Sequence, residues 1–102
     1  MNNLDEKAHA EVYSFFKKTE NSIILNIEIL VLDHHPTPER IKKAEFRITN
    51  AKIGKYPKRK PISVVELPKG KYKVLDGNTT TTVLKSLGYN FVLAEIVKNN
   101  ED

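Results

Sequence analysis

The residues best suited to chemistry lie in one short run, Asp76-Gly77-Asn78-Thr79-Thr80, where a strand-like segment gives way to a helix-like one. The first turn of a helix leaves several backbone N–H groups without intrahelical acceptors, and the helix dipole adds partial positive charge there. Phosphate groups bind such tips readily. Gly77 allows the backbone to approach a ligand closely or to take a positive φ. Asn78 is a candidate cap, and Thr79 and Thr80 bring hydroxyls that can donate to phosphate oxygens. Thr79 opens a run of four threonines. Each costs up to about 0.7 kcal/mol against Ala in a helix interior, so the run favours capping and ligand-donor roles over interior ones. Asp76, next to the tip, is the candidate catalytic acid-base group, able to position or deprotonate a hydroxyl. The competing role for Asp76 is that of a turn residue bonding its own backbone.

A second cluster, Lys55-Tyr56-Pro57-Lys58-Arg59-Lys60, is dense in cations. Beside a phosphate site, Lys58 and Arg59 would supply countercharge, Arg59 as the better bidentate partner. Alternatively, Lys52, Lys55, Tyr56 and Lys60 read as nucleic-acid contacts, with the Tyr56 ring stacking on a base. The charge is unevenly spread. Residues 1–35 carry three Lys and six Asp/Glu, a net −3, whereas residues 40–73 carry twelve Lys/Arg and two Glu, a net +10. A basic middle on a chain of net charge +4 points to an anionic ligand. Asp33, His34, His35 and Glu39 match no metal-ligand spacing, so no metal site is expected. Phosphate loops of the Walker or dinucleotide type, zincin histidine pairs and serine nucleophile elbows are all missing.

The elements that must position these residues follow from periodicity. Asp5 to about Glu20 reads as an amphipathic helix on Ala8, Val12, Phe15 and Phe16, capped by Asn3 or Asp5. Residues 22–32 are rich in Ile, Leu and Val and read as a buried strand, although Asn26 and Glu28 leave a helix open. Thr37-Pro38-Glu39 starts a helix whose apolar stripe is Ile41, Ala44, Ile48 and Ala51, ended by Gly54. Its Lys42, Lys43, Arg47 and Lys52 lie off the stripe and are expected to stay solvated. Strands over 61–67 and 71–76 form an antiparallel hairpin around Pro68-Lys69-Gly70, a helix runs from Thr79 to Leu87, and 91–97 is the last strand.

With 102 residues the natural reading is a single domain over 1–102, the mainly helical 1–53 preceding a core at 57–97. No apolar run reaches the roughly 18 residues a membrane span needs. The N-terminus lacks a secretory pattern, and without cysteines disulfide and thiol chemistry are excluded. A cytoplasmic location is the default.

The segment Lys58–Leu67, with Pro61-Ile62 opening a strand, then Gly70–Asn78 ending in Asp76-Gly77-Asn78, then Leu84-Lys85-Ser86-Leu87-Gly88-Tyr89, resembles the ParB/sulfiredoxin superfamily, including ParB-like nuclease domains. The resemblance implies an α+β fold in which a small mixed sheet packs against helices, with phosphate bound at the helix start. The usual Gly-X-His-Arg there is replaced by Gly77-Asn78-Thr79-Thr80. Asn78 stands at the sulfiredoxin cysteine, which excludes sulfinic-acid reductase activity. The Asp-Gly-Asn-Thr-Thr version is similar to small domains of phages, mobile elements and bacterial toxin systems. The expected function is therefore a nucleotide- or phosphate-binding domain. Its ligand would be a nucleotide, with Mg²⁺, or a phosphorylated small molecule, and phosphoryl-transfer or nuclease-like chemistry is the activity in view. The alternatives are a nucleic-acid-binding module without enzymatic activity and an inactive protein-interaction domain of toxin/antitoxin type.

Overall fold

The computed structural model describes residues 3–98, except for the side chains of residues 3–5 and 8. Its elements run α1 (Asn3–Phe15), β1 (Ser22–Asn26), β2 (Leu30–Leu32), α2 (Pro38–Lys52), β3 (Ile62–Glu66), β4 (Tyr72–Asp76), α3 (Asn78–Ser86) and β5 (Phe91–Ile96). The five strands make one mixed sheet in the order β1-β5-β3-β4-β2. Pairs β1/β5 and β3/β4 are antiparallel, and β3/β5 and β2/β4 are parallel. The α+β class with a small mixed sheet against helices is as expected, but the sheet has two more strands than the three expected from the C-terminal half.

Both extra strands come from residues 22–32. The Asn26 side chain accepts a hydrogen bond from the Glu28 N–H at 2.8 Å and caps a single 3-10 turn over Ile27–Ile29. That turn cuts one apolar run into two strands on opposite edges of the sheet. From Asn26 to Leu30 the backbone can reach about 14 Å at most. A flat five-stranded sheet is about 19 Å from edge to edge. The sheet must therefore curl until its edges approach, and the strand reading of this segment needs the break that Asn26 supplies.

The first helix stops at Phe15 instead of continuing to Glu20. Phe16 leaves the helix to pair with Arg59 in a parallel bridge: the Arg59 N–H donates to the Phe15 carbonyl and the Lys17 N–H to the Arg59 carbonyl, each at 2.8 Å. Consecutive phenylalanines are both almost fully buried, Phe15 at 0% and Phe16 at 1% exposure, and leaving the helix between them lets both face the core. The proposed caps at Asn3 and Asp5 lie outside the described side chains.

The second helix begins as its sequence dictates. Thr37 Oγ1 accepts from the Arg40 N–H, Pro38 occupies the first turn, and Ala44, Ile48 and Ala51 are buried. These side chains meet Val83 and Leu84 of α3 and the sheet residues Val64, Val74, Val92, Leu93 and Ala94 in one hydrophobic core.

Two local devices set the start of α3. The β3/β4 register slips between Ser63 and Val64, so Leu75 is the extra residue of a bulge that turns the chain just before Asp76. Gly77 then takes φ +111°, and a Cβ there would lie 2.4 Å from Ile62 Cγ2 and 2.7 Å from Ile62 Cβ. Asn78 is 3% exposed. Its Oδ1 accepts from the Asp33 N–H at 2.8 Å and its Nδ2 donates to the Val74 carbonyl at 3.4 Å. It therefore staples the loop between β2 and α2 to α3 and does not cap the helix.

Gly77→Ala is expected to lower unfolding free energy by about 2–3 kcal/mol in chemical denaturation, because the substitution strains φ and drives Cβ into Ile62. Asn78→Ala removes both buried hydrogen bonds and is expected to cost about 1–3 kcal/mol. Hydrogen exchange at the Asp33 amide should accelerate in the same variant; unchanged exchange there would refute the staple.

Candidate functional site

The tip of α3 is open. Gly77 stands at the cap position and no side chain bonds to the first-turn amides. The first bond back into the helix runs from the Thr81 N–H to the Gly77 carbonyl at 2.9 Å, so the amides of Asn78, Thr79 and Thr80 have no acceptor among the described residues. These groups supply the partial positive charge of a helix N-terminus.

Arg59 stands over this tip. Its main chain is fixed by the two bonds to the end of α1, and its Nη2 lies 3.4 Å from Thr80 Oγ1, a long contact. The side chain is half-buried, and no carboxylate lies within ion-pair distance of it: the ion pairs among the described residues are Lys52–Glu11 and Lys73–Asp33. Its guanidinium is held below the usual arginine range, first by burial and then by the nearby charge of Arg47, with Asp76 opposing both. A cation half out of water, beside a second cation and without a bonded carboxylate, is a place where an anion is stabilised.

Three adjoining depressions meet at Arg59. A polar one of about 190 Å³ is formed by His34, Arg40, Asp76 and the tip residues Gly77 to Thr80. A groove of about 190 Å³ runs between Thr79 and α2, over Arg40, Lys43 and Arg47. The largest, about 460 Å³, is walled by Arg47, Tyr56, Lys58 and Lys60 and shares Asp76, Gly77 and Thr80 with the first. Asp76 is exposed where the first and third join.

The residues expected from the sequence thus fall into groups. Asp76, Gly77, Thr80, Lys58 and Arg59 share one cavity, and Thr79 lines the two smaller ones. Asn78 contributes its amide, while its side chain is engaged inward. Thr82 donates to the Asn78 carbonyl, and Thr81 is buried with an unpartnered hydroxyl, so the threonine run divides between tip and interior. Tyr56 and Lys60 line the large cavity; Lys55 is exposed beside it in sequence. Lys52 faces away towards α1, with Nζ 2.8 Å from Tyr89 Oη and 3.3 Å from Glu11 Oε2, and its pKa is raised chiefly by the Tyr89 bond.

Sequence reasoning missed Arg40, Lys43 and Arg47 as site residues. Their signal was present, since positions 40, 43 and 47 share one face of a helix, but only the packing of α2 beside α3 brings that face to the tip. It also missed His34. The adjacent histidines diverge: His34 lines the polar depression at the α3 tip and His35 a separate apolar cavity of about 300 Å³ floored by Ile27, Leu30 and Leu32. Among the described residues no three His, Asp or Glu side chains converge on a metal site. No described helix is long and apolar enough to cross a membrane.

No protein-family model matches the sequence, and no curated protein is significantly similar to it. Solved structures are similar. A C-terminally truncated SbnI from Staphylococcus aureus superposes with a TM-score of 0.68 and 27% identity, over 76% of this chain and 31% of that one. A free serine kinase in complex with AMP gives 0.65 and 13%, over 80% and 35%. Sulfiredoxin from Arabidopsis thaliana gives 0.58 and 20%, over 76% and 85%. ParB from Caulobacter crescentus complexed with CTP-gamma-S gives 0.60 and 18%, over 78% and 46%. The chain spans about a third of the length of the first two. With strands, helices and the bulged β4–α3 junction in view, and with these superpositions over three-quarters or more of its length, the chain has the ParB/sulfiredoxin-like fold.

Proposed function

We propose that the open tip of α3 binds the phosphate of a nucleotide or of another phosphorylated small molecule, with Arg59 as the principal side-chain ligand. The observation that carries this reading is the half-buried guanidinium of Arg59, with no carboxylate at ion-pair distance, beside three unbonded amides. A phosphate there would accept from the amides and from Arg59 together, and charge-assisted bonds of this kind are the strong ones. Arg40, Lys43 and Arg47 would neutralise further phosphates along the groove. Support of a different kind comes from two similar structures that hold AMP and CTP-gamma-S.

For phosphoryl transfer, Asp76 is the group to accept a proton from an attacking hydroxyl, because it sits where the anion site opens into the larger cavity. Asp76 would also be the protein's one carboxylate contribution to a magnesium ion, which takes its remaining ligands from phosphate and water. That is compatible with the lack of converging acidic groups among the described residues. The positive site lowers repulsion between the phosphate and an incoming nucleophile, while Asp76 handles the proton.

The test is a thermal-shift series with nucleotides, inorganic phosphate and pyrophosphate, with and without Mg²⁺. At ligand near 100 times Kd, linkage stabilises the fold by about 2.7 kcal/mol, a rise in Tm on the order of 10 °C. Arg59→Ala should abolish the shift, whereas Asp76→Ala should keep it and lose turnover of the bound nucleotide. Equal shifts in wild type and Arg59→Ala, or none under any condition, would refute the site.

A further inference from the structure

Beyond the anion site, the surface of α2 carries a feature that a mononucleotide site does not require. Phe46 is 55% exposed and Tyr56 42% exposed. Their rings pack edge to face, with centroids 5.4 Å apart and planes 88° apart. In that arrangement one ring lends only its edge to the pair, so its faces are not covered by the other ring. Asn50 ties together the backbone that carries the two rings: its Nδ2 donates to the Phe46 carbonyl at 2.7 Å, and its own carbonyl accepts from the Lys55 and Tyr56 N–H groups at 2.8 and 3.2 Å. Two exposed aromatics are thus carried side by side on a tied stretch of backbone.

Apart from Glu45, their charged neighbours in sequence are cations. Lys42 and Lys43 lie one turn before Phe46 on α2, Arg47 follows it, and Lys55, Lys58 and Lys60 flank Tyr56. Tyr56 also walls the 460 Å³ cavity that ends at Asp76, Gly77 and Thr80, so one ring of the pair borders the depression that reaches the α3 tip, and Phe46 stands beside that ring outside the cavity. An apolar protein partner would leave this ring of cations unpaired. A polyanion with flat apolar units satisfies both parts, the phosphates against Lys and Arg and the bases against the rings.

We infer that this surface takes a single-stranded nucleic acid, one phosphate seated at the α3 tip and an adjacent base stacked on the Phe46–Tyr56 pair. The inference rests on the anion site described above and names the class of ligand for which the larger cavity is built. Duplexes keep their bases stacked inside and offer the rings nothing, so the site prefers single strands. Phosphate contacts make binding fall with salt, and stacking makes it tolerant of sequence.

The experiment is fluorescence anisotropy with a labelled oligothymidylate of about 12 residues and with a duplex of the same length, at low and raised salt. Wild type should bind the single strand more tightly than the duplex. The double variant Phe46→Ala/Tyr56→Ala should lose about tenfold or more in single-strand affinity, the scale of one stacked base. Both side chains are exposed, so the variant should fold, as circular dichroism will verify, and its thermal shift with inorganic phosphate, which has no base to stack, should equal that of wild type. Arg59→Ala should weaken both ligands. Equal affinity for strand and duplex, or an unchanged affinity in the double variant, would overturn the inference while leaving the anion site standing. A thermal shift absent in wild type would instead remove the anion site. A dimer in sedimentation that the double variant converts to monomer, with no oligonucleotide bound, would overturn it in favour of a second copy as occupant.

Discussion

The close approach of Gly77 to Ile62 is the constraint on which the geometry of the site depends. With no side chain at 77, the first residue of β3 lies against the turn that launches α3, closer than any Cβ would permit. Arg59 is three residues upstream of Ile62, on the same stretch of chain. The contact therefore sets how far the guanidinium stands from the helix tip. A second restraint acts at the other end of that stretch, where the Arg59 main chain is bonded on both sides to the end of α1. Between the two, Lys60 and Pro61 have little freedom, and Pro61 removes one φ outright. The Pro61-Ile62 pair and Gly77 are thus two halves of one contact, which is why they make a recognisable pattern although fifteen residues separate them.

The parts of this fold that could be read from the sequence were those encoded locally. The Thr37-Pro38 helix start, the hairpin around Pro68–Gly70 and the strand-to-helix turn at Asp76-Gly77 all follow from residue types at fixed offsets, and each is present. What could not be read depends on pairing across the chain. The end of α1 is set by Arg59, more than forty residues away, and not by any stop signal after Phe15. The division of 22–32 depends on one side-chain bond at Asn26, which a periodicity argument registers only as an interruption. The candidate site divides in the same way. Gly77, Thr79, Thr80, Lys58 and Arg59 carry local signals and are brought together. Arg40, Lys43 and Arg47 joined them only through the packing of α2 on α3, and Asn78 had a partner, the Asp33 amide, that no spacing rule reveals.

The electrostatics of the depression give it a direction. Cations approach the tip from α2 and from the chain entering β3, while the carboxylate of Asp76 stands at its mouth. Away from the tip two lysines have side-chain partners: Lys52 has Glu11 and Tyr89, and Lys73 has Asp33. Arg59 has no carboxylate within ion-pair distance, and burial makes the lack more costly for it than for an exposed lysine. A ligand of the opposite sign bound at that position would therefore add to the stability of the domain.

The Thr79-Thr80 pair at the helix tip fits the same picture. Thr80 is 5% exposed, and its hydroxyl faces the Arg59 guanidinium. A longer cationic side chain at position 80 would compete with Arg59 for the same space and repel it. The short hydroxyl instead leaves room for Arg59 to come over the helix tip from the β3 side. Arg40 and Arg47 come over it from α2. The positive charge that an arginine on α3 would bring is therefore present at this tip, carried by neighbouring elements. Because those elements also hold the hydrophobic core together, the placement of charge is tied to the packing of Ile48, Val83 and Leu84 beneath it and not to the rotamers of one exposed turn.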